Sequence, residues 1–217
     1  PKKNTIKFSP MKLKANPLDK IEYERIQWEG IKKEEESKKD KKEAKRSEGI
    51  ISLHFNGKLL TIIINKDDKE VQRISFQAVS GRAEKINNKY YFTYEKERQM
   101  LKDKGPIPEG EYYIDMEKIT EAVFYRNISW GKKNVPIELN NQETYGRDGF
   151  YIHGGWSAGS AGCIDLWDKN EMFFEKLIKL SKKFNAHRIP LVVEYKDSIM
   201  ECSENLLGLI KQCEAKR

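Results

Sequence analysis

Two β-forming runs on either side of an Asn-Gly step constrain this chain more than any other feature. Ile51, Leu53 and Phe55 alternate with Ser52 and His54, Asn56-Gly57 interrupts, and Leu59-Leu60-Thr61-Ile62-Ile63-Ile64 follows. Alternation with period two builds a strand with one apolar face, and Asn-Gly readily takes the positive φ angles of a tight hairpin. A helix is disfavoured because its apolar residues would recur every third or fourth position. His54 falls opposite Ile51, Leu53 and Phe55, so it is expected to face solvent rather than a ligand. Asp67-Asp68 marks the next turn. Val71, Arg73, Ser75 and Gln77 then alternate with Gln72, Ile74, Phe76 and Ala78 in a third strand that ends at Ser80-Gly81.

Further strands are expected over 112–114, 123–128, 135–139 and 189–195, with Pro136 placing its strand at a sheet edge. Residues 82–104 read as a long loop or short helical insertion, and 105–110, rich in Gly and Pro, as stiff punctuation. Asp168 is a candidate N-cap for a helix running to Lys183, with Phe173, Phe174, Leu177, Ile178 and Leu180 as its apolar stripe. Short strands with turn signals and one inserted helix predict a mainly β sandwich or barrel. Flanking it, residues 1–48 read as a charged arm and helix, and 198–217 as a C-terminal helix, leaving 49–197 as the central domain.

Charge separates the arm from the rest. Residues 1–48 carry 15 Lys and Arg against 10 Asp and Glu, whereas the remainder carries 26 against 24. A nucleic-acid arm is disfavoured because interleaved acids repel phosphates, and pairs such as Glu34–Lys38 suit a solvated helix. No run approaches the ~18–20 apolar residues of a membrane span. No signal-peptide pattern is read either, which is weak evidence of compartment in a chain that begins at Pro1. Of the three cysteines, Cys202 and Cys213 would lie ~16 Å apart on one helix, beyond the ~7 Å between bridged Cα atoms, so two half-buried thiols are expected. A helical hairpin through 205–208 would permit a bridge.

The stretch from Phe150 to Leu166 carries the chemistry. Strand-like residues end at His153, small residues follow through Gly162, and the segment closes on Cys163 before Ile164. Glycine costs backbone entropy and buries nothing, so such a loop suits close passage of backbone to a ligand. A thiol needs a base or positive charge to become a thiolate near neutral pH, and an imidazole supplies either. His153 and Cys163 thus form a candidate nucleophilic pair. Gly162 and Cys163 are candidate oxyanion donors, and Ser160 could shape the loop or orient the imidazole. A buried small hydrophobe is the alternative for Cys163.

His-Gly, a short spacer and then Ser-x-Gly-Cys-Ile resembles the signature of the YkuD-like L,D-transpeptidases of bacterial peptidoglycan. Residues 105–112 resemble that family's Pro-x-Gly-x-aromatic segment, and Ala78-Val79-Ser80-Gly81-Arg82 fits its early strands. The likeness spans roughly 50–195 and is strongest to the short-loop toxins delivered by type VI secretion systems. It implies Cys163 as nucleophile, His153 as base, and Ser160 and Gly162 in the catalytic loop, with no cofactor or metal. It further implies a tetrapeptide stem cut between its third and fourth residues in the periplasm or envelope of a target cell. An immunity protein and a secretion-system component would be its partners. The nine-residue spacer between His153 and Cys163 departs from housekeeping members, which suggests a reduced lid, and Asp165 stands where many carry Arg or Asn. Candidate substrate contacts are Gly154, Trp156, Tyr145, Arg147, Arg82 and Asp165.

A sortase-like enzyme would also use Cys, His and Arg, and Arg188 precedes a strand, but its Cys and His come from distant strands. A wall-binding or adaptor module with a degenerate site is the competing class.

Overall fold

The computed structural model describes residues 50–121, 127–140, 142–197 and 199–202. The expected hairpin joins β1 (Ile50–Phe55) to β2 (Leu59–Lys66), with Phe55 opposite Leu60. Asn56 secures the turn, its side-chain oxygen accepting from the Lys58 and Leu59 amides, and Gly57 supplies φ +90°. Asp67 and Asp68, both at positive φ, form the two-residue turn into β3 (Lys69–Gln77). His54 does lie opposite the buried face, but half-buried, with Glu194 3.5 Å away.

Among the described residues ten strands share one sheet. β1 continues through β12 (Arg188–Val193), β7 (Gly110–Asp115), β9 (Lys133–Leu139), β10 (Tyr151–His153) and β11 (Ile164–Asp165) to β4 (Val79–Ser80). The short β8 (Thr120–Glu121) flanks β9. The two ends of this path, β3 and β4, are consecutive in sequence and separated only by Ala78, which is fully buried. The sheet edges therefore meet at that residue, and the sheet curls into a nearly closed barrel.

Helix α3 (Asn170–Phe184) plugs the curl with Phe173, Phe174, Leu177 and Leu180. Phe173 packs edge-on against Phe76 at 5.5 Å and Phe174 at 5.2 Å. Phe173→Ala is expected to cost about 3–5 kcal/mol through lost burial and the cavity left behind, measured by urea unfolding.

Several expectations are corrected. The helix does not start on Asp168: a 3-10 turn over Trp167–Lys169 precedes it. Asn170 instead pins the preceding chain, accepting from the Lys132 and Lys133 amides and donating to the Lys133 carbonyl. Residues 82–104 are not mainly loop. β5 (Glu84–Ile86) and β6 (Lys89–Thr93) form a third hairpin through Asn87 and Asn88, both at positive φ, before helix α1 (Lys96–Gln99). Pro136 is not at an edge, because β9 lies between β7 and β10. Ile137 donates to the Phe150 carbonyl, so the Pro136 nitrogen faces the other flank, in the gap between the β8 and β7 pairings.

Of the strand expected over 123–128, Asn127 and Ile128 open helix α2 (Asn127–Trp130), and the rest lies outside the described residues. The C-terminal helix begins wrongly too. Ile199–Glu201 form β13, paired with β6, and Cys202 is buried with its amide on the Tyr90 carbonyl. Cys213, the remainder of that helix and the arm over 1–48 lie outside the described residues.

Candidate active site

Strands β10 and β11 run parallel, with Ile152 beside Ile164 and His153 beside Asp165. Side chains alternate along a strand, so the buried Ile152 and Ile164 face the core while His153 and Asp165 share the opposite face. Cys163, one residue before β11, lies at the rim and is partly exposed. A crossover of only ten residues, without a helix, links these parallel strands, and this short span brings His153 to Cys163.

The Cys163 thiol lies close enough to the imidazole to favour its protonated form. Nδ1–H of His153 donates to the Gly154 carbonyl at 2.8 Å, which leaves Nε2 as the ring nitrogen free to exchange a proton. The Trp130 ring packs against the imidazole at 5.2 Å and meets Tyr151 edge-on at 5.1 Å. Burial of the imidazole (6 % exposed) favours its neutral form, but the Asp165 carboxylate, the Cys163 thiol and the Gly154 carbonyl outweigh that and push His153 up to about 9.

Gly154 carries the loop through a space no side chain can share. A Cβ there would lie 2.4 Å from Asn170 Cβ and 2.5 Å from the Trp167 carbonyl oxygen. Its amide donates to the Trp130 carbonyl. Gly154→Ala is expected to destabilise the fold by about 1–3 kcal/mol and to slow alkylation of Cys163, read by urea unfolding and a thiol-probe time course.

Ser160 shapes the turn. Its amide donates to the Gly81 carbonyl, its hydroxyl donates to the Cys163 carbonyl at 2.7 Å, and the same oxygen accepts from the Gly162 amide at 3.2 Å. The Gly162 N–H is thereby occupied, so of the two expected oxyanion donors Cys163 is the one left for that role. Gly162 sits at φ +128°, where a Cβ would strike the Arg147 guanidinium and Phe150.

Two expected substrate contacts face the protein instead. Arg147 is 7 % exposed; its terminal nitrogens donate to the carbonyls of Gln99, Pro106, Gly105 and Ala161, and its guanidinium covers the Phe150 ring. Asp165 is 1 % exposed, and burial pushes its carboxyl up to about 6 against the opposing effects of His153 and two amides. Arg82 is exposed, Trp156 is 63 % exposed and Tyr145 is half-buried, with φ +57° at the turn entering β10.

Sequence reasoning missed Ser80 and Trp130. Ser80 is fully buried, accepts from the Ile107 amide and donates to the Gly162 carbonyl, tying β4 to the loop across 82 residues of sequence. Only its place in Val79-Ser80-Gly81 hinted at a role, and Trp130 carried no signal. Among the described residues no cluster of His, Cys, Asp and Glu could hold a metal ion, and no helix is long and apolar enough to cross a membrane.

The curled, mainly β sheet plugged by one helix is an L,D-transpeptidase-like fold. The chain belongs to the Tlde1-domain family, a type VI effector family, whose model matches residues 74–190. Solved structures similar to it include Bd1075 of Bdellovibrio bacteriovorus, at 13 % identity and TM-score 0.42, covering 80 % of this chain and 56 % of that one. Pgp2, the helical cell shape determining protein of Campylobacter jejuni, is 14 % identical with TM-score 0.44, covering 78 % and 56 %. An L,D-transpeptidase from Xylanimonas cellulosilytica is 12 % identical with TM-score 0.33, covering 68 % and 62 %. The chain thus spans little more than half the length of the first two. No curated protein matches it.

Proposed function

We propose that residues 49–197 are a cysteine-dependent peptidoglycan enzyme acting on tetrapeptide stems, with Cys163 as nucleophile and His153 as acid and base. The placement of a partly exposed thiol close to a buried imidazole, across the short crossover between β10 and β11, carries the reading. The Cys163 sulfur attacks the carbonyl carbon of the stem's third residue, and the imidazolium protonates the departing amine of the fourth. The Cys163 amide faces the developing oxyanion. The thioester is then opened by water, with His153 taking its proton, or by the amine of a D-amino acid. The first outcome is L,D-carboxypeptidase activity and the second is exchange.

Family membership supports an antibacterial effector working on the cell wall. The periplasm of a rival cell is the proposed compartment, with an immunity protein and a secretion component as proposed partners. Arg82 and Trp156, both exposed, and Tyr145 are proposed to line the cleft.

Incubation with purified tetrapeptide muropeptides, with and without free D-amino acids, tests this by mass analysis. Loss of the terminal D-amino acid marks hydrolysis, and its replacement marks exchange. Binding without either product would indicate a wall-binding module. Because His153 keeps its proton to about 9, acylation should hold to that pH and fall above it. The sign for stability is the same. The native state holds protons on Asp165 and His153 to higher pH than the unfolded chain does, so this contribution is complete at low pH. It is lost as pH rises through about 6 and then about 9.

A further inference from the structure

We infer that Asp165 is a positioning residue which acts through two other parts of the site: it holds the shape of the loop carrying Cys163, and it keeps the His153 imidazole positively charged. The inference rests on the proposed Cys163–His153 chemistry and assigns Asp165 a place in it, in exchange for a place against substrate.

Three observations converge. The parallel register of β10 and β11 sets Asp165 beside His153 on the same face, with Oδ1 3.9 Å from Nδ1. Both carboxylate oxygens are engaged by backbone: Oδ2 accepts from the Gly159 amide at 2.9 Å and Oδ1 from the Trp167 amide at 2.8 Å. These amides belong to the small-residue loop and to the turn entering α3, so one side chain spans both ends of the segment around Cys163. The carboxylate is also fully buried, where a charge is retained only if hydrogen-bonded and faced by an opposite charge.

Nδ1 already donates to the Gly154 carbonyl, so Asp165 does not receive the imidazole proton. Its action on the ring is electrostatic at a distance just beyond a hydrogen bond. Among the described residues the titratable groups facing His153 are Asp165 from β11 and Cys163 from the loop, with Arg147 of the turn before β10 on the far side of Cys163's loop at the Ala161 carbonyl. An imidazolium poised by a buried carboxylate stands ready to protonate a leaving amine before the thiolate attacks. Since Asp165 is two residues after Cys163, the same strand delivers both the nucleophile and the group that sets its partner's charge.

The test follows the His153 ring by NMR in the full chain carrying Cys163→Ala, which removes the thiol's own influence. The His153 midpoint is expected to stay well above the ordinary ~6.5. Adding Asp165→Asn should lower it by about one to two units. A midpoint at the ordinary value in Cys163→Ala, or one that Asp165→Asn leaves in place, overturns the proposal. Should the double variant not fold, Cys163→Ala alone decides. The His153 signals must then show a second inflection on the acid side as the adjacent Asp165 ionises, and a single-step titration overturns the proposal. None of these readouts involves turnover. A failed Asp165 assignment therefore leaves the nucleophile standing, and uncleaved muropeptides leave the Asp165 assignment standing.

Discussion

Cys163→Ala is expected to reduce release of the terminal D-amino acid from tetrapeptide stems by more than about a thousandfold while the fold persists. The thiol is partly exposed, at the rim of the sheet, so removing it leaves no sizeable cavity. Stability should change little, and circular dichroism should be unaltered. Cys163→Ser keeps a hydroxyl of similar size but presents a poorer nucleophile, and it should be nearly as inactive. His153→Ala is expected to slow alkylation of Cys163 as well as turnover, because the thiol loses the imidazole beside it. Full cleavage by Cys163→Ala would end the nucleophile assignment. Cys202, the other free thiol among the described residues, offers no substitute, since burial pushes it up to about 12.

Parts of this arrangement were legible in the residues and parts were not, for physical reasons. The first hairpin could be read because Asn56-Gly57 and Asp67-Asp68 are local turn chemistry between runs of period two. His153 and Cys163 could be read because a small-residue loop between a strand and a cysteine leaves few other uses. The hairpin through Asn87-Asn88 escaped because Lys85, Lys89 and the adjacent tyrosines mask its alternation, although Tyr90 and Phe92 are buried and Tyr91 is not. Pro136 misled because it was judged as a lone residue, whereas its tolerance depends on where β8 stops pairing and β7 begins. Asp165 and Arg147 are expected from the sequence as candidate substrate contacts, yet both are buried. Their burial comes from contacts between distant segments, such as Arg147 with Gln99 and Gly105, that no local pattern encodes.

Arg147→Ala should be among the most destabilising single changes in the described fold, by about 3–5 kcal/mol. The guanidinium joins segments that share no ladder bond: it holds the carbonyls of Gln99, Gly105 and Pro106 on one side and that of Ala161, in the catalytic loop, on the other. Alanine would leave those carbonyls without their donors and the Phe150 ring without its cover. It would also free the loop from the 99–106 segment two residues before Cys163. Lysine cannot serve in its place, because one ammonium does not reproduce the planar fork that spans several acceptors. Arg147→Lys should therefore recover only part of the loss. Urea unfolding with an unchanged m-value measures the stability term, and the alkylation rate of Cys163 measures the loop. Arg82→Ala supplies the contrast. That residue is exposed, so its loss should move stability by no more than about 0.5 kcal/mol and, if it meets the stem peptide, raise KM instead. A stability change below about 1 kcal/mol in Arg147→Ala would mean that the loop is held from the Ser80, Ser160 and Asp165 side alone.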